Sequence, residues 1–326
     1  MPILLSEEDV KGLLTMDDLI EGMEIALADF SARNVTQPVR TVLQVGERPA
    51  FYGLMPAYMP SRPALGTKLV TVFESNAARG LPTHLATIVL LDPETGALLA
   101  LMDGRYITEA RTAAVSAVSV QWLAREDAAS LAIIGSGVQA RSHLEAISRV
   151  RDIREVRVWS RKRAHVERLI SDMTPHIEAR FVASDSARAA VEDADIVVLA
   201  TSAVQPVVQT DWIADGAHVC AVGACRPTQR EMDAALVARG DLYVDSRDAA
   251  LVEAGDIVLA MKDGAITASH IKAELGEVVG GRVAGRSSAD RVTIFKSLGL
   301  AVEDVAAAHL VYQRARHQAR GVEFTL

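Results

Sequence analysis

The stretch ASLAIIGSGVQARSHLEAISRV, residues 129–150, constrains the fold more than any other part of this 326-residue chain. Its first half is an apolar run that reads as a buried strand, and its second half reads as a helix. Between them Gly135, Gly137 and Ala140 stand at G-x-G-x-x-G/A spacing. That spacing alone is a weak signal; a strand before it and a helix after it are the context that gives it meaning. Gly135 permits the tight turn. Gly137 lets backbone approach a pyrophosphate, whose charge the helix N-terminus favours, and Ala140 allows close helix–strand packing. The competing reading is a glycine turn in an ordinary βα unit. The same grammar continues downstream: EVRVWS, ADIVVLATS, HVCAVG and DLYVDS read as strands, with AHVERLISDM as a helix. Strands alternating with helices predict a parallel, doubly wound sheet.

Upstream the grammar differs. Residues 6–33 read as helical, with capping-box-like starts at Ser6/Asp9 and Thr15/Asp18. VRTVLQV, AFYGLMPAY, LGTKLVTVF, THLATIVLL and ALLALMD then predict an antiparallel meander, the last two strands joined through the turn DPETG. The helix ITEARTAAVSAVSVQWLA leads away. A final helix, AVEDVAAAHLVYQRARHQARG, is expected to return to the first domain. The expected class is α/β: a Rossmann-type doubly wound sheet over 121–299, plus a strand-rich α+β domain made of 1–120 together with 300–326.

Half of the residues are hydrophobic, enough for a sizeable core, and the net charge of −8 argues against general nucleic-acid binding. The only cysteines, Cys220 and Cys225, imply no disulfide framework and fit a reducing cytoplasm. MPILLSEEDV lacks the pattern of a signal peptide, and no apolar run reaches membrane-spanning length. The expectation is a cytoplasmic protein with neither nucleic-acid nor membrane partners.

The strand EVRVWS should end on the residue that reads the adenosine ribose, where NAD-specific sites usually carry Asp or Glu. Here Ser160, Arg161, Lys162 and Arg163 follow, with no carboxylate. A hydroxyl and a guanidinium suit a 2′-phosphate, so NADP(H) is the preferred cofactor and NAD(H) a possible one. The alternative is a solvated basic loop that tolerates either.

Three cations stand in apolar or small-residue context: Arg40, Lys68 and Arg111. A charge among apolar neighbours needs a partner, because desolvation is costly. A substrate carboxylate is one such partner; a structural ion pair is another, and each cation taken singly reads first as surface or structural. Thr83 and His84 precede a strand, where they either meet a ligand or close a turn. His218, Cys220 and Cys225 are close in sequence, but His218 and Cys220 belong to a buried strand, which disfavours a zinc site. No activating base for a catalytic cysteine is evident nearby in sequence.

The stretches QPVRTV, GLMPAY, TKLVTVFE, LLALMDGRYITEARTAAVSA, IIGSGVQA, VRVWSR, VGACRPTQRE, YVDS, AELGEV and IFKSLGLAVED together resemble the ornithine cyclodeaminase/mu-crystallin family, and within it the ketimine reductase branch. They spread over nearly the whole chain. The resemblance implies a Rossmann domain joined to a strand-rich domain that mediates homodimerisation, with the active site in the cleft between them. It places Arg40, Lys68 and Arg111 on the substrate carboxylate, and Thr83 beside substrate and nicotinamide. Thr112 is assigned to the cofactor phosphates, with Val138 and Gln139 in the pyrophosphate turn. Ser160 and Arg161 are assigned to the ribose, and Thr201 and Ser202 to a strand end against the cofactor. Ala221, Val222, Ser297 and Leu298 are assigned to the surroundings of the nicotinamide, Leu298 also touching substrate.

The resemblance also accounts for Cys225. Ornithine cyclodeaminases carry there an aspartate that handles protons and the substrate's distal amine. The implied activity is therefore NAD(P)H-dependent reduction of the C=N bond of a small anionic imine 2-carboxylate, such as pyrroline-2-carboxylate or piperideine-2-carboxylate. Reduction of acyclic imino acids, as in iminosuccinate reductases and alanine dehydrogenases, stays open, with Arg226 either meeting a second carboxylate or serving a structural ion pair. Amino-acid cyclodeamination and a non-catalytic small-molecule binding role stay open as well.

Overall fold

The structure is a computed structural model that describes residues 1–47 and 49–325. The chain divides into two compact units, Met1–Arg111 with the segment from Gly299 onward, and Thr112–Leu298. The helix Arg105–Leu123 runs across the division.

The first unit is built on a seven-stranded mixed sheet. Thr41–Gln44, Ala50–Met59, Ala64–Phe73, His84–Leu91 and Leu98–Asp103 form an antiparallel meander. Ile3–Leu5 joins it parallel to Leu98–Asp103 and pairs on its other side with Val322–Glu323. In the DPETG turn, Asp92 Oδ1 accepts from the backbone of Glu94 and Thr95 at 2.9 and 2.8 Å, an Asx-type closure. Ser6 and Asp9 make a reciprocal capping box at Glu7–Leu13, and Thr15 caps Met16–Ser31 by accepting from Asp18 N. Helices Met16–Ser31 and Ala301–His317 pack together, and the latter lies on the sheet. It passes close: a Cβ at Gly66 would lie 3.4 Å from Val305 Cγ2. The strand expected over 39–45 is shorter, Thr41–Gln44, and wholly exposed at the sheet edge.

The second unit carries eight strands, all pairing in parallel, in the order Ile271–Glu274, Asp241–Val244, Thr293–Lys296, His218–Ala221, Ile196–Leu199, Ser130–Ile134, Glu155–Trp159, Arg180–Ala183. From Ser130–Ile134 the chain adds strands first to one side, then returns to the other beginning with Ile196–Leu199. This doubly wound order puts the topological switch point at the carboxyl ends of those two strands, where such sheets bind ligands. Ile196–Leu199 and His218–Ala221 are buried at every residue, as strands covered on both faces must be.

Two histidines lie in this second core. His143 sits between Gln139 O (2.7 Å) and Ser116 Oγ (2.9 Å), and His218 between Ser119 Oγ (3.0 Å) and Thr293 Oγ1 (2.9 Å). Burial holds their imidazoles down at about 4 and about 3. Folded, both are neutral near pH 5, whereas the unfolded chain protonates them below about 6.5. The unfolded state then binds more protons, so stability falls as pH drops through that window. Glu231, pushed up to about 7 by burial, opposes this, because the folded state keeps its proton longer. Two imidazoles outweigh one carboxyl, and His84, likewise held down to about 4 by burial, adds in the same direction. Denaturant titrations should show a loss on the order of 2 kcal/mol between about pH 7.5 and about pH 4.5; a flat profile would contradict neutral buried imidazoles.

Candidate active site

In the first unit, Lys68 lies on the helix-covered face of Ala64–Phe73, opposite the buried side chains of Met55 and Ile88. Only 2% of Lys68 is exposed. Its Nζ is 2.6 Å from Asp304 Oδ2. Arg111 donates through Nη1 to Glu303 Oε2 at 2.6 Å and through Nε to Asp304 Oδ1 at 3.0 Å. Glu303 and Asp304 occupy the first turn of Ala301–His317, where the helix dipole favours carboxylates. Arg40 Nη2 donates to Gly299 O at 3.2 Å. Gly299 adopts φ +83°, and a Cβ there would lie 2.3 Å from Arg111 Nη1, so only glycine turns the chain this close to the guanidinium.

The electrostatics follow from burial. Desolvation lowers the Lys68 ammonium, Asp304 pulls it back and Arg111 adds to the fall; it comes to about 8. For Asp304, burial acts upward, but Arg111 and Lys68 outweigh it and hold the carboxyl below its ordinary value. Burial, with Lys68 and Arg111 adding, brings half-buried His84 down to about 4, so its ring is neutral at physiological pH. Thr83 is exposed, and its carbonyl closes the strand end by accepting from Phe73 N at 2.8 Å.

Lys68 and Arg111 are thus joined by two carboxylates that sequence reasoning did not single out, and Arg40, held on Gly299 O, acts on Lys68 as part of the same electrostatic group. The signal for the two carboxylates was present: Glu303 and Asp304 are adjacent acids opening an otherwise alanine-rich helix. Their partners, however, lie some two hundred residues away along the chain.

In the second unit, the expected cofactor residues gather at the carboxyl ends of parallel strands. Gly135 adopts φ +133°, and a Cβ there would lie 2.4 Å from Ala200 O. Gly137 is the N-cap of Val138–Val150, with Gln139 following in its first turn. Ser160 follows Glu155–Trp159 and accepts from Ser136 Oγ at 2.9 Å, beside exposed Arg161. Thr201, with exposed Ser202 next to it, follows Ile196–Leu199. Its amide and hydroxyl both donate to Glu231 Oε1 at 2.7 Å. Ala221 ends the strand His218–Ala221 and Val222 follows it; Ser297 donates its amide to Ala221 O at 3.1 Å, and Leu298 donates its amide to Asp245. Thr112 is buried.

Glu231 was likewise missed by sequence reasoning. Fully buried, it accepts from Gly223 N at 2.7 Å as well as from Thr201, tying two strand ends together. Cys225 is exposed, and its Sγ donates to Val222 O at 3.2 Å. Cys220 is buried, its thiol pushed up to about 12, and His218 uses both ring nitrogens on Ser119 and Thr293. These two residues belong to the core.

A dinucleotide fits the second unit on two observations. A Cβ at Gly137 would meet no protein atom within 4 Å, so packing within the chain does not demand glycine there. In addition, Gln139 Oε1 and Ser297 Oγ are buried with no hydrogen-bond partner among the described residues, and buried polar atoms normally have one. Gly137→Ala should therefore leave the thermal midpoint within about 2 °C of wild type while raising KM for the nicotinamide cofactor about tenfold or more. An unchanged KM would remove Gly137 from the phosphate turn.

Residues 1–319 match the ornithine cyclodeaminase/mu-crystallin family. The ketimine reductase mu-crystallin of Rattus norvegicus is 44% identical over 315 residues, 95% of this chain and 96% of that protein. The fold superposes on the Delta(1)-pyrroline-2-carboxylate reductase of Thermococcus litoralis, solved with NADH and L-proline, with TM-score 0.95 and 40% identity, over 99% of this chain and 100% of the other. An archaeal alanine dehydrogenase dimer with bound NAD gives TM-score 0.93 and 32% identity over 99% of both chains. With a profile match over nearly its whole length and relatives this similar, the chain belongs to the ornithine cyclodeaminase/mu-crystallin family.

Proposed function

We propose that this protein reduces the C=N bond of a small cyclic imine 2-carboxylate, such as pyrroline-2-carboxylate or piperideine-2-carboxylate, using NAD(P)H. The observation that carries this reading is the buried charge cluster. Lys68 and Arg111 are buried against the carboxylates of Glu303 and Asp304, and Arg40 on Gly299 O adds a third cation to the same group, a concentration of positive charge that suits an anionic substrate. Arg111 and Arg40 bind the substrate carboxylate, for which a guanidinium has matching geometry. Lys68, charged at neutral pH and held by Asp304, carries at Nζ a proton for the imine nitrogen, and an iminium is the better electrophile. When bound, the reduced nicotinamide supplies the hydride; the residues named here orient and protonate. Cys225 offers no carboxylate where a cyclodeaminase would need one to hold a distal amine.

Ser160 and exposed Arg161 support a preference for NADPH, with NADH also accepted. Residues 121–299 serve as the dinucleotide-binding domain, and 1–120 with 300–326 as the substrate-binding and dimerisation domain. The archaeal alanine dehydrogenase dimer supports a homodimer. Two cysteines that form no disulfide agree with a cytoplasmic location.

The test follows cofactor absorbance with pyrroline-2-carboxylate, piperideine-2-carboxylate, iminosuccinate, and pyruvate with ammonia, each with NADPH and NADH. Fast turnover of a cyclic imine is expected, with NADPH favoured about tenfold in kcat/KM and Arg161→Ala removing that ratio. Turnover of the acyclic imines alone would move the substrate class, and a preference for NADH would overturn the cofactor assignment.

A further inference from the structure

Glu231, Asp256 and Lys296 form a connected array inside the second unit, each with 1% or less of its surface exposed. Lys296 ends the strand Thr293–Lys296; its Nζ lies 3.3 Å from Asp256 Oδ2 and donates to Ala221 O at 3.2 Å. Asp256 stands in the first turn of the helix Gly255–Lys262. Its Oδ1 accepts from Glu231 N at 2.7 Å and from Met232 N at 3.1 Å. The Glu231 carboxylate in turn accepts from the amide and hydroxyl of Thr201 and from Gly223 N, each at 2.7 Å.

The three charges depend on one another. Burial acts downward on the Lys296 ammonium, but Asp256, Cys225 and Glu231 outweigh it and hold it above its ordinary value. Lys296 is the largest influence drawing Glu231 down against burial, and an ionised carboxyl accepts at both oxygens, as its three donors require. The backbone is drawn tight around them. A Cβ at Gly223 would lie 2.0 Å from Thr201 O and 2.6 Å from Glu231 Oε1, and one at Gly255 would lie 1.8 Å from Gln229 O and 2.3 Å from Arg226 O.

Taking ions out of water is costly, and well-packed apolar side chains of similar volume often hold a core as well or better. Packing alone therefore does not account for the array. What distinguishes it is where its bonds end: on Thr201, on Ala221 and on Gly223, which follows Val222, while Lys296 itself precedes Ser297. These are the strand ends assigned to the cofactor and to the surroundings of its nicotinamide. We propose, resting on that cofactor assignment, that Lys296, Asp256 and Glu231 are positioning residues that fix the pocket for the nicotinamide end of the cofactor, while the adenosine end is held without them.

The test compares each reduced cofactor with the fragment that lacks nicotinamide, NADPH against 2′-phospho-ADP-ribose and NADH against ADP-ribose, by calorimetric titration of the full-length protein. Lys296→Met removes the cation and keeps its apolar stem. Lys296→Met combined with Asp256→Asn removes the ion pair without leaving Asp256 charged and unpaired, and the asparagine carbonyl still accepts from Glu231 N and Met232 N. Both proteins are expected to bind the reduced cofactor at least about tenfold more weakly, as the loss of a buried hydrogen bond implies, and the fragment within about twofold of wild type. Equal weakening of cofactor and fragment would mark a general loosening of the unit and overturn the proposal, as would cofactor binding unchanged in both variants. A double variant that does not fold assigns the array to stability and overturns it too. Wild type that binds neither ligand overturns the cofactor assignment and this proposal with it. The selective loss in a protein that reduces none of the imines supports the positioning role while refuting the imine substrate, so the two failures are told apart.

Discussion

Lys68→Met is expected to lower kcat about 10³-fold while the protein stays folded, because a positioned proton donor contributes roughly 10²–10⁴. Methionine matches the length and apolar stem of lysine, and Lys68 already lies between Met55 and Ile88 on a covered sheet face. Lys68→Arg separates charge from proton transfer. It keeps a cation opposite Asp304, but a guanidinium does not release its proton near neutral pH. Wild-type kcat/KM should fall as pH rises past about 8, where Lys68 loses its proton, and that alkaline limb should vanish in Lys68→Arg. Steady-state profiles of the three proteins decide this. A Lys68→Met variant within about tenfold of wild type would leave solvent as the proton source.

Asp304→Asn should be the most destabilising single change in the cluster. Asp304 is wholly buried and pairs with both Lys68 and Arg111. Breaking a buried pair by removing one partner costs about 3–5 kcal/mol, because the remaining charges stay desolvated. Asp304 is also the principal influence holding the Lys68 ammonium up against burial. Its loss therefore moves the alkaline limb of kcat/KM to lower pH, a readout that a purely structural role would not shift. Denaturant midpoints and the pH profile measure the two effects separately. Stability within about 1 kcal/mol of wild type would show that Asp304 is not the counter-charge assigned here.

Much of the architecture was legible in residue order. The βα turn at Gly135–Ala140, the alternation after it, and the meander from Thr41 to Asp103 are each read from strands, turns and helices that are local in the chain, and all three appear in the structure. Arg180–Ala183, Ile271–Glu274 and Thr293–Lys296 were not assigned as strands. Each is a four-residue strand that includes a basic residue, a weaker apolar signal than the equally short Ile196–Leu199 and His218–Ala221 give, and each is placed by the neighbour it pairs with.

The site divides in the same way. Arg40, Lys68 and Arg111 stood out because a cation in apolar context must be neutralised somewhere. What neutralises Lys68 and Arg111 could not be read, since Asp304 is 193 residues from Arg111 and no local spacing links them. Glu231 was hidden for the same reason: its partners Thr201 and Gly223 meet it only where two strand ends converge. By itself the sequence determined the class of fold, the nucleotide turn and which charges needed partners, since backbone propensity, glycine conformation and desolvation act locally. Tertiary structure alone decided which carboxylates answer those charges and that Lys68 is held down to about 8, because both depend on groups that only folding brings together.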